Sequence, residues 1–368
     1  MPDKPNRPRA RDLGLPLPPG EPGPDNALTD VPGVAVGHTT VTDPPRVHSG
    51  VTAIVPDGIG PAPAGVTLPA GLFAGNGYGK LVGATQLTEL GQLESPIVLT
   101  STLSVFRAAD AVVSWLLERP EFAGVESFSP VVGECNDGHL SDIRARPVTA
   151  AHVREAIDGA HAGPVAEGCV GAGTGTRALG FKAGVGTASR RVELAGERFT
   201  LGLLVQANHG GTLRVGGMAV RPSEPAESPA ADSGSPPPDN GSCMLVLATD
   251  APLDARQLGR LARRAVFGLA RTGAAYGNGS GDYGLAFSTR HEAPAPPDRL
   301  LDPLFEAALD LAEEGVLNAL CAAVTTLGRE GRTAEAVSPE TWADRARRAA
   351  RAEDRDRLAE RRPGDGGT

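Results

Sequence analysis

The feature that most constrains this chain is the junction between residues 222–241 and residues 242–250. Residues 222–241 contain six prolines and no large apolar side chain, so we expect a mobile tether there rather than a packed element. Residues 242–250 have the sequence SCMLVLATD, an apolar run typical of a strand that is buried on both faces. A tether therefore meets a core strand at the bond between Gly241 and Ser242.

The size and composition of the chain favour a sheet-rich α/β protein. With 368 residues, 40% of them hydrophobic, the chain is long enough for one large domain or two smaller ones. It contains 48 glycines and 33 prolines but only 4% aromatic residues, which is typical of many tight turns and close backbone approaches.

The net charge argues against two classes of partner. With 44 acidic and 35 basic residues, the formal charge of -9 offers no overall attraction for nucleic acid or anionic lipid. The sequence has no uncharged apolar run of the roughly 20 residues that span a bilayer, and its start lacks the apolar core of a signal peptide. We therefore expect a soluble, cytoplasmic protein that binds neither nucleic acid nor membranes.

Periodicity divides the chain into elements. The Pro-rich and charged residues 1–25 are expected to form a flexible arm rather than core. The glycine-rich residues 163–186 allow only turns and close-packed strands. Strands are predicted over 34–41, 51–55, 96–101, 199–206, 212–220, 242–250 and 281–289, and helices over 103–117, 150–160, 258–269, 304–324 and 340–361.

The Gly241–Ser242 pair has the residue types that self-cleavage by an N-to-O acyl shift requires. Glycine permits the strained backbone that brings the Ser242 hydroxyl onto the preceding carbonyl, and the resulting ester is hydrolysed more easily than an amide. The freed α-amine, with a reference pKa of about 7.7 to 8.0, can take the proton from its own hydroxyl. Taken alone, a Gly-Ser dipeptide more often marks the end of a linker than a cleavage site. The neighbouring sequence therefore has to distinguish the two interpretations.

Three further segments carry candidate site residues. Ser280 and Asp282 are two residues apart at the start of a predicted strand, so they can share one face, although NGSG alone is more often a plain turn. Glu134 ends an apolar strand and can pair with a substrate ammonium group, with a solvated loop acid as the equal alternative. Asn208 ends another strand, where its amide can donate to an oxyanion or simply form a turn.

Metal, cofactor and histidine-triad chemistry find no support in the sequence. The four cysteines are widely spaced and the seven histidines form no HExxH motif, so we predict no metal and no cofactor. The motif GNGYGK at 75–80 lacks the spacing of a phosphate-binding loop, and the GxGxxA pattern at 173–178 lacks the flanking strand and helix of a dinucleotide fold. No GxSxG elbow occurs, and no histidine stands out as a serine partner.

Seven motifs, occurring in order, together resemble the DmpA-like family of L-aminopeptidase/D-alanine esterase-amidases, which is related to the β-peptidyl aminopeptidases. The resemblance implies a four-layer α-β-β-α sandwich, cleavage before Ser242 into two chains, and a tetramer of cleaved protomers. It assigns residues 26–221 and 242–338 to the two parts of one catalytic domain, followed by a charged helix or tail over 339–368. The motifs are NALTDVPGVAVGHTT, GNGYGK, VVGECNDGHLSDI, GAGTGTRALGFKAGVGTASR, VQANHGG, GSCMLVLATDAPL and NGSGDYGLAFST.

The same resemblance assigns roles to individual residues. Ser242 falls on the nucleophile of the family and Asn208 on its oxyanion-hole asparagine. Ser280 and Asp282 fall on the supporting hydroxyl and carboxylate, the latter being Glu in some relatives. Glu134 falls where a carboxylate can meet the free amine of the substrate.

Two features depart from the family pattern. His139 occupies a position where the L-aminopeptidase member has Tyr, which leaves the substrate preference open, and the tether is unusually long. The expected function is therefore a self-cleaving serine aminopeptidase or amidase acting on small peptides, amides or esters through an acyl-enzyme. The alternatives are an acyltransferase of the ornithine-acetyltransferase type and an unprocessed binding protein on the same scaffold.

Overall fold

A four-stranded and a six-stranded β-sheet form the centre of this computed structural model, which describes residues 7–222, 241–290 and 292–360. The strands of the two sheets are β1 (Val34–Asp43), β2 (Val47–Pro56), β3 (Leu68–Gly77), β4 (Gln92–Leu93), β5 (Ile97–Ser101), β6 (Val131–Cys135), β7 (Val185–Leu194), β8 (Glu197–Asn208), β9 (Ser242–Thr249) and β10 (Gly281–Ser288). The first sheet has the order β1–β2–β5–β6, and the second has the order β4–β3–β10–β9–β8–β7. Strand β9 is therefore central, antiparallel to β8 and parallel to β10.

The described chain also contains α-helices, four of which cover the outer faces of the two sheets. The helices are α1 (Ala84–Glu89), α2 (Val105–Leu117), α3 (Ala150–Asp158), α4 (Ala255–Thr272), α5 (Asp302–Cys321) and α6 (Pro339–Glu360). Helices α2 and α3 pack on the first sheet, and α4 and α5 pack on the second. Short 3₁₀ turns cover Leu28–Asp30, Thr102–Ser104, Pro120–Phe122, Ile143–Ala145, Gly171–Gly173, Asp298–Leu300 and Arg329–Gly331.

Three apolar clusters fill the three interfaces between these layers. One lies between α2, α3 and the first sheet, one between the two sheets, and one between the second sheet, α4 and α5. Strand β9 contributes to two of them, because Met244 and Val246 belong to the inter-sheet cluster while Leu245 and Leu247 belong to the cluster beneath the helices. This arrangement confirms the predicted four-layer α-β-β-α sandwich.

Most predicted elements are present, and the clearest differences concern residues 212–220 and strand β3. Residues 212–220, predicted as one strand, form a small hairpin of Arg214–Val215 and Met218–Ala219. Gly216 and Gly217 both have positive φ, at +55° and +77°, so the backbone turns where the apolar pattern suggested that it would continue. Strand β3 was not predicted, because its sequence LPAGLFAGNG contains glycines and a proline that favour turns over strands.

The N-terminal segment differs from the flexible arm predicted over residues 1–25. From residue 7 onward the structure describes a packed segment, in which Ala10 is fully buried and Leu15 is 5% exposed. Arg9 pairs with Glu167, and Arg11 pairs with the buried Glu314 at 2.7 Å. Composition predicted an arm because arginines are usually exposed to solvent. Here Arg9 and Arg11 each form an ion pair with a carboxylate of the folded domain.

Further sequence predictions concern the tether and the terminus. Residues 223–240, which make up most of the predicted tether, lie outside the described residues. Residues 361–368 of the predicted C-terminal tail lie outside them as well. The predicted charged helix is present as α6, and its Trp342 is buried against the second sheet's helical layer. Within 7–222, 241–290 and 292–360, no helix has the length and apolar character needed to cross a bilayer.

Candidate active site

Ser242 opens β9 between the ends of its two neighbouring strands. It is the register partner of Asn208, the last residue of β8, and of Gly281, the first residue of β10. Ser242 is 4% exposed and Asn208 is 6% exposed, so both side chains are shielded from bulk solvent. The backbone hydrogen bonds of the sheet thereby hold three sequence-distant residues at one edge.

Gly241 precedes the strand in a space that admits no side chain. A Cβ atom there would lie 2.8 Å from the carbonyl oxygen of Asn208 and 2.8 Å from the Cα atom of His209. The carbonyl oxygen of Gly241 accepts a hydrogen bond from the backbone N–H of Gly281 at 3.3 Å. A donor on this oxygen stabilises negative charge when a nucleophile adds to the carbonyl carbon.

The side-chain amide of Asn208 is held by two backbone groups. Its Oδ1 accepts from the N–H of Arg177 at 3.0 Å, and its Nδ2 donates to the carbonyl oxygen of Asn136 at 3.1 Å. This pattern defines the orientation of the amide. If the amide were flipped, its NH₂ group would face the N–H of Arg177 and its oxygen would face the carbonyl oxygen of Asn136. The second Nδ2–H remains available for a ligand beside Ser242.

Ser280 and Asp282 form a hydroxyl–carboxylate pair at the start of β10. The Ser280 hydroxyl donates to Asp282 Oδ1 at 2.8 Å, and the two residues are 2% and 1% exposed. Because the Ser280 hydroxyl donates its hydrogen bond to Asp282, the oxygen of Ser280 can act only as an acceptor toward other neighbours. Asp282 is the register partner of Cys243, which places the pair one residue from Ser242 along the sheet.

Glu134 lies at the end of β6 and reaches this edge through Gly79. Its Oε1 accepts from the N–H of Lys80 at 3.0 Å, and its Oε2 accepts from the Thr102 hydroxyl. A Cβ atom on Gly79 would lie 3.2 Å from the Cα atom of Gly281 and 3.4 Å from Glu134 Oε1, so the glycine separates the carboxylate from β10. Burial raises the pKa of Glu134, against the lowering effect of the bonds from Thr102 and Lys80.

His139 lies three residues beyond Asn136 on the same loop. Burial lowers its pKa to about 4, with a further lowering by the guanidinium groups of Arg177 and Arg332. The imidazole is therefore neutral near pH 7, and it can contribute hydrogen bonds but no charge.

The adjacent His209 offers no serine partner of the triad type. It is 4% exposed, and burial lowers its pKa to about 4. Within the described residues neither of its ring nitrogens has a hydrogen-bond partner, so it makes no hydrogen bond to the Ser242 hydroxyl. Within the described part of the chain, no group of three or more His, Cys, Asp or Glu side chains has a metal-binding arrangement.

Three contributors to this site were not singled out from the sequence. The backbone N–H of Gly281 lies inside the NGSG segment, and Asn136 and Asp137 lie inside a segment interpreted only as a turn. Backbone donors and acceptors carry no residue-type signal, which is why motif reasoning passed over them. The buried Asp137 could have been noticed as a second carboxylate close to Glu134.

Known proteins resemble this chain over most of its length. Residues 26–334 match the model of peptidase family S58. The chain is 40% identical over 356 residues to the β-peptidyl aminopeptidase BapA of Sphingosinicella microcystinivorans, covering 89% of this chain and 88% of the relative.

Two solved structures extend the comparison to the fold. The L-aminopeptidase D-Ala-esterase/amidase of Ochrobactrum anthropi, a prototype of the serine aminopeptidases and a variant of the Ntn hydrolase fold, matches with a TM-score of 0.81 and 39% identity over 94% of this chain and 99% of that chain. A β-aminopeptidase from Burkholderia sp. matches with a TM-score of 0.79 and 39% identity over 92% of this chain and 98% of that chain.

Proposed function

Because this chain belongs to peptidase family S58, and is therefore a peptidase, we propose that it matures by cutting its own Gly241–Ser242 bond and then acts as a serine aminopeptidase or amidase. Its substrates are peptides, amides or esters with a free amino terminus. The observation that carries the proposal is the register of Ser242 between Asn208 and Gly281 at one end of the central strands.

Self-cleavage begins with the Ser242 hydroxyl. Its oxygen adds to the carbonyl carbon of Gly241, and the developing negative charge falls on the oxygen that faces the Gly281 N–H at 3.3 Å. Collapse of this adduct breaks the C–N bond as the departing nitrogen receives the hydroxyl proton, leaving Gly241 esterified to Ser242 Oγ and the α-amine of Ser242 free. Water then hydrolyses the ester, which yields a carboxylate on Gly241 and restores the hydroxyl.

Substrate turnover repeats the same chemistry between two molecules. The Ser242 hydroxyl attacks the first carbonyl of the substrate while its own α-amine takes the proton, and the free Nδ2–H of Asn208 stabilises the oxyanion. The leaving amine receives the proton, and water then releases the amino acid from the acyl-enzyme. The Ser280 hydroxyl donates to Asp282 Oδ1 at 2.8 Å. We assign its oxygen to accept from an N–H of the Ser242 α-amine and so to orient this base.

Recognition of the free amino terminus falls to Glu134. A buried carboxylate attracts an ammonium group strongly, because few water molecules screen the pair. His139 lies on the adjoining loop, at the position where the sequence departs from the L-aminopeptidase pattern. We assign it an influence on which substrate side chains the enzyme accepts. The relatives suggest residues of either the α or the β type, and a panel of aminoacyl p-nitroanilides distinguishes them.

An experiment on the purified mature protein separates hydrolysis from acyl transfer. A free-amine substrate and its N-acetylated analogue are incubated with and without an excess of an acceptor amino acid, and the products are identified by mass spectrometry. We expect free amino acid from the first substrate only, in either condition. Transfer to the acceptor in place of hydrolysis would instead support the acyltransferase alternative, and inactivity of both substrates would contradict the aminopeptidase proposal.

We also propose that the mature enzyme is a cytoplasmic homotetramer of cleaved protomers. The support is the family resemblance. Light scattering of the mature enzyme tests the assembly, because a monomeric mass would contradict it.

A further inference from the structure

The carbonyl oxygen of Asn136 decides where the amide of Asn208 points. One Nδ2–H of Asn208 donates to this oxygen at 3.1 Å, and the planar geometry of the amide then fixes the direction of the other. A small displacement of Asn136 would therefore turn the free N–H away from the strand edge at which Ser242 begins.

Asp137 fixes the loop that carries this carbonyl. Its side chain is 2% exposed, with Oδ1 accepting from the Ser101 hydroxyl on β5 at 2.8 Å and Oδ2 accepting from the Ser49 hydroxyl on β2 at 2.7 Å. Its main-chain oxygen accepts from the N–H groups of Leu140 and Ser141, at 3.1 and 2.9 Å. Asp137 thus connects the loop to two strands of the first sheet.

The second partner of Asn208 is tied to Asp137 as well. A Cβ atom on Gly175 would lie 2.8 Å from the Cβ atom of Asp137, so the segment that precedes Arg177 packs directly on the aspartate. The backbone N–H of Arg177, two residues further along, donates to Asn208 Oδ1. Both backbone groups that hold the Asn208 amide are therefore anchored within two residues of a contact with Asp137.

We propose that Asp137 is a positioning residue whose ionised carboxylate holds the Asn136 and Arg177 backbone groups that aim the Asn208 amide at the reaction centre. The inference rests on the proposed function of Asn208. An ionised carboxylate accepts from both hydroxyls at once, whereas a protonated carboxyl group must itself donate one hydrogen bond, so one of the serine hydroxyls has to turn.

The surroundings of Asp137 make this protonation accessible. Burial raises its pKa to about 6, opposed by the bonds from Ser49 and Ser101 and assisted by the neighbouring carboxylate of Glu134. His48, which precedes Ser49 on β2, directs its Nε2 to the carbonyl oxygen of Leu327. Thr102, the residue that follows Ser101 directly after β5, donates to Glu134. Positioning should therefore weaken as the pH falls through about 6.

The test compares Asp137→Asn with wild type and with Glu167→Gln in the mature enzyme. Glu167 is another buried carboxylate, but it accepts from Arg9 and from the backbone of Thr187 and thus controls for the loss of a buried negative charge. We expect Asp137→Asn to lower kcat about tenfold to a hundredfold, the scale of a small misplacement of catalytic groups. It should also remove the additional fall in kcat near pH 6, below the limb that the Ser242 amine sets in both proteins. Glu167→Gln should lower Tm while leaving that pH profile unchanged.

A second readout does not require turnover. In the uncut Ser242→Ala background, the side-chain amide signal of Asn208, identified by its loss in Asn208→Ser, should shift in the NMR spectrum when Asp137→Asn is added. A pH profile and an Asn208 signal that are both unchanged in Asp137→Asn would overturn the positioning role, even if Tm fell. Inactivity of the wild type with a shifted signal would contradict the proposed function alone.

Discussion

Asn208 and Ser242 stand directly opposite each other at the ends of two antiparallel strands. Residues paired in this way project their side chains from the same face of a sheet, so the amide and the hydroxyl share one environment. Their relation depends on the ladder between β8 and β9 rather than on a flexible loop. The central account of a serine nucleophile beside an oxyanion donor rests on this pairing.

Replacing Asn208 tests the oxyanion role. We expect Asn208→Ala to lower kcat of any matured fraction by about 10²- to 10³-fold, the usual effect of losing one oxyanion donor. The matched control is Asn318→Ala, which removes another buried asparagine, on α5, that bonds to the backbone of Ala10 and Thr187. Asn318→Ala should reduce Tm but keep kcat, and a near-normal kcat in Asn208→Ala would exclude the assigned role.

A methyl group at position 241 should slow maturation. In Gly241→Ala the new Cβ atom would meet two backbone atoms at 2.8 Å, so the carbonyl must move away from the Gly281 N–H. Gly259→Ala on helix α4 is the control. A Cβ atom there would lie 3.9 Å from the carbonyl oxygen of Leu72, an ordinary van der Waals distance. Electrophoresis over time should show delayed cleavage only for Gly241→Ala, and equal rates in both variants would refute the steric argument.

Asp282 should affect the pH dependence of turnover. A carboxylate near the Ser242 amine favours the protonated form, so the amine of wild type must lose its proton as the pH rises before it can act as base. Asp282→Asn should lower maximal kcat and move this rising limb to lower pH. Ser280→Ala should lower kcat too, whereas Ser288→Ala, at the other end of β10, removes a buried hydroxyl that bonds to Ala251 and should not.

Those pH profiles of kcat are measured on matured protein with one p-nitroanilide. An unchanged profile in Asp282→Asn would show that the carboxylate does not influence the base.

Glu134 should act on binding rather than on the chemical step. Glu134→Gln is expected to raise KM for free-amine substrates about tenfold or more, with a smaller effect on kcat, because the ammonium loses its charged partner. Burial raises the pKa of Glu134, so in wild type the KM should increase as the pH falls and the carboxylate becomes neutral. A pH-independent KM in wild type, or an unchanged KM in Glu134→Gln, would argue for a different amine site.

The N-terminal segment should contribute to stability. Arg11→Ala leaves the fully buried Glu314 without one of its two arginine partners, the other being Arg190 at 2.5 Å. We expect a loss of about 2 kcal/mol in the free energy of unfolding, the scale of one lost hydrogen-bond partner of a charged group. Arg190 and Asn26 still bond to the buried carboxylate. Arg46→Ala, in an exposed pair with Asp43, should cost less than about 1 kcal/mol. Equal denaturation midpoints for the two variants would contradict this ranking.

The sequence predicts the parts of the fold that depend on periodicity and composition. The continuous apolar run in residues 242–250 and the helical spacing around Leu258–Leu269 both correspond to observed elements. It does not predict that Arg9 and Arg11 are held by Glu167 and Glu314, because such pairs join residues far apart in the chain. Tertiary partners, rather than local preference, decide whether such charged segments pack.

The candidate site shows the same division. Motif resemblance supplies Ser242, Asn208, Ser280, Asp282 and Glu134, and the fold brings their strand ends together. The Gly281 N–H and the Asn136 carbonyl escape prediction, since every residue but proline carries such backbone groups and only the register determines where they point. Sequence thus indicates the reacting side chains, and the structure adds the backbone that orients them.

The most direct test of the account is the amino-terminal sequence of the purified protein's fragments. Denaturing electrophoresis should separate two pieces, and Edman sequencing of the piece that begins inside the chain should read Ser-Cys-Met-Leu-Val, corresponding to residues 242–246. Ser242→Ala should give a single chain with no peptidase activity. A wild-type protein that stays intact through prolonged incubation yet hydrolyses substrate, or one that is cut at another bond, would contradict the central claim.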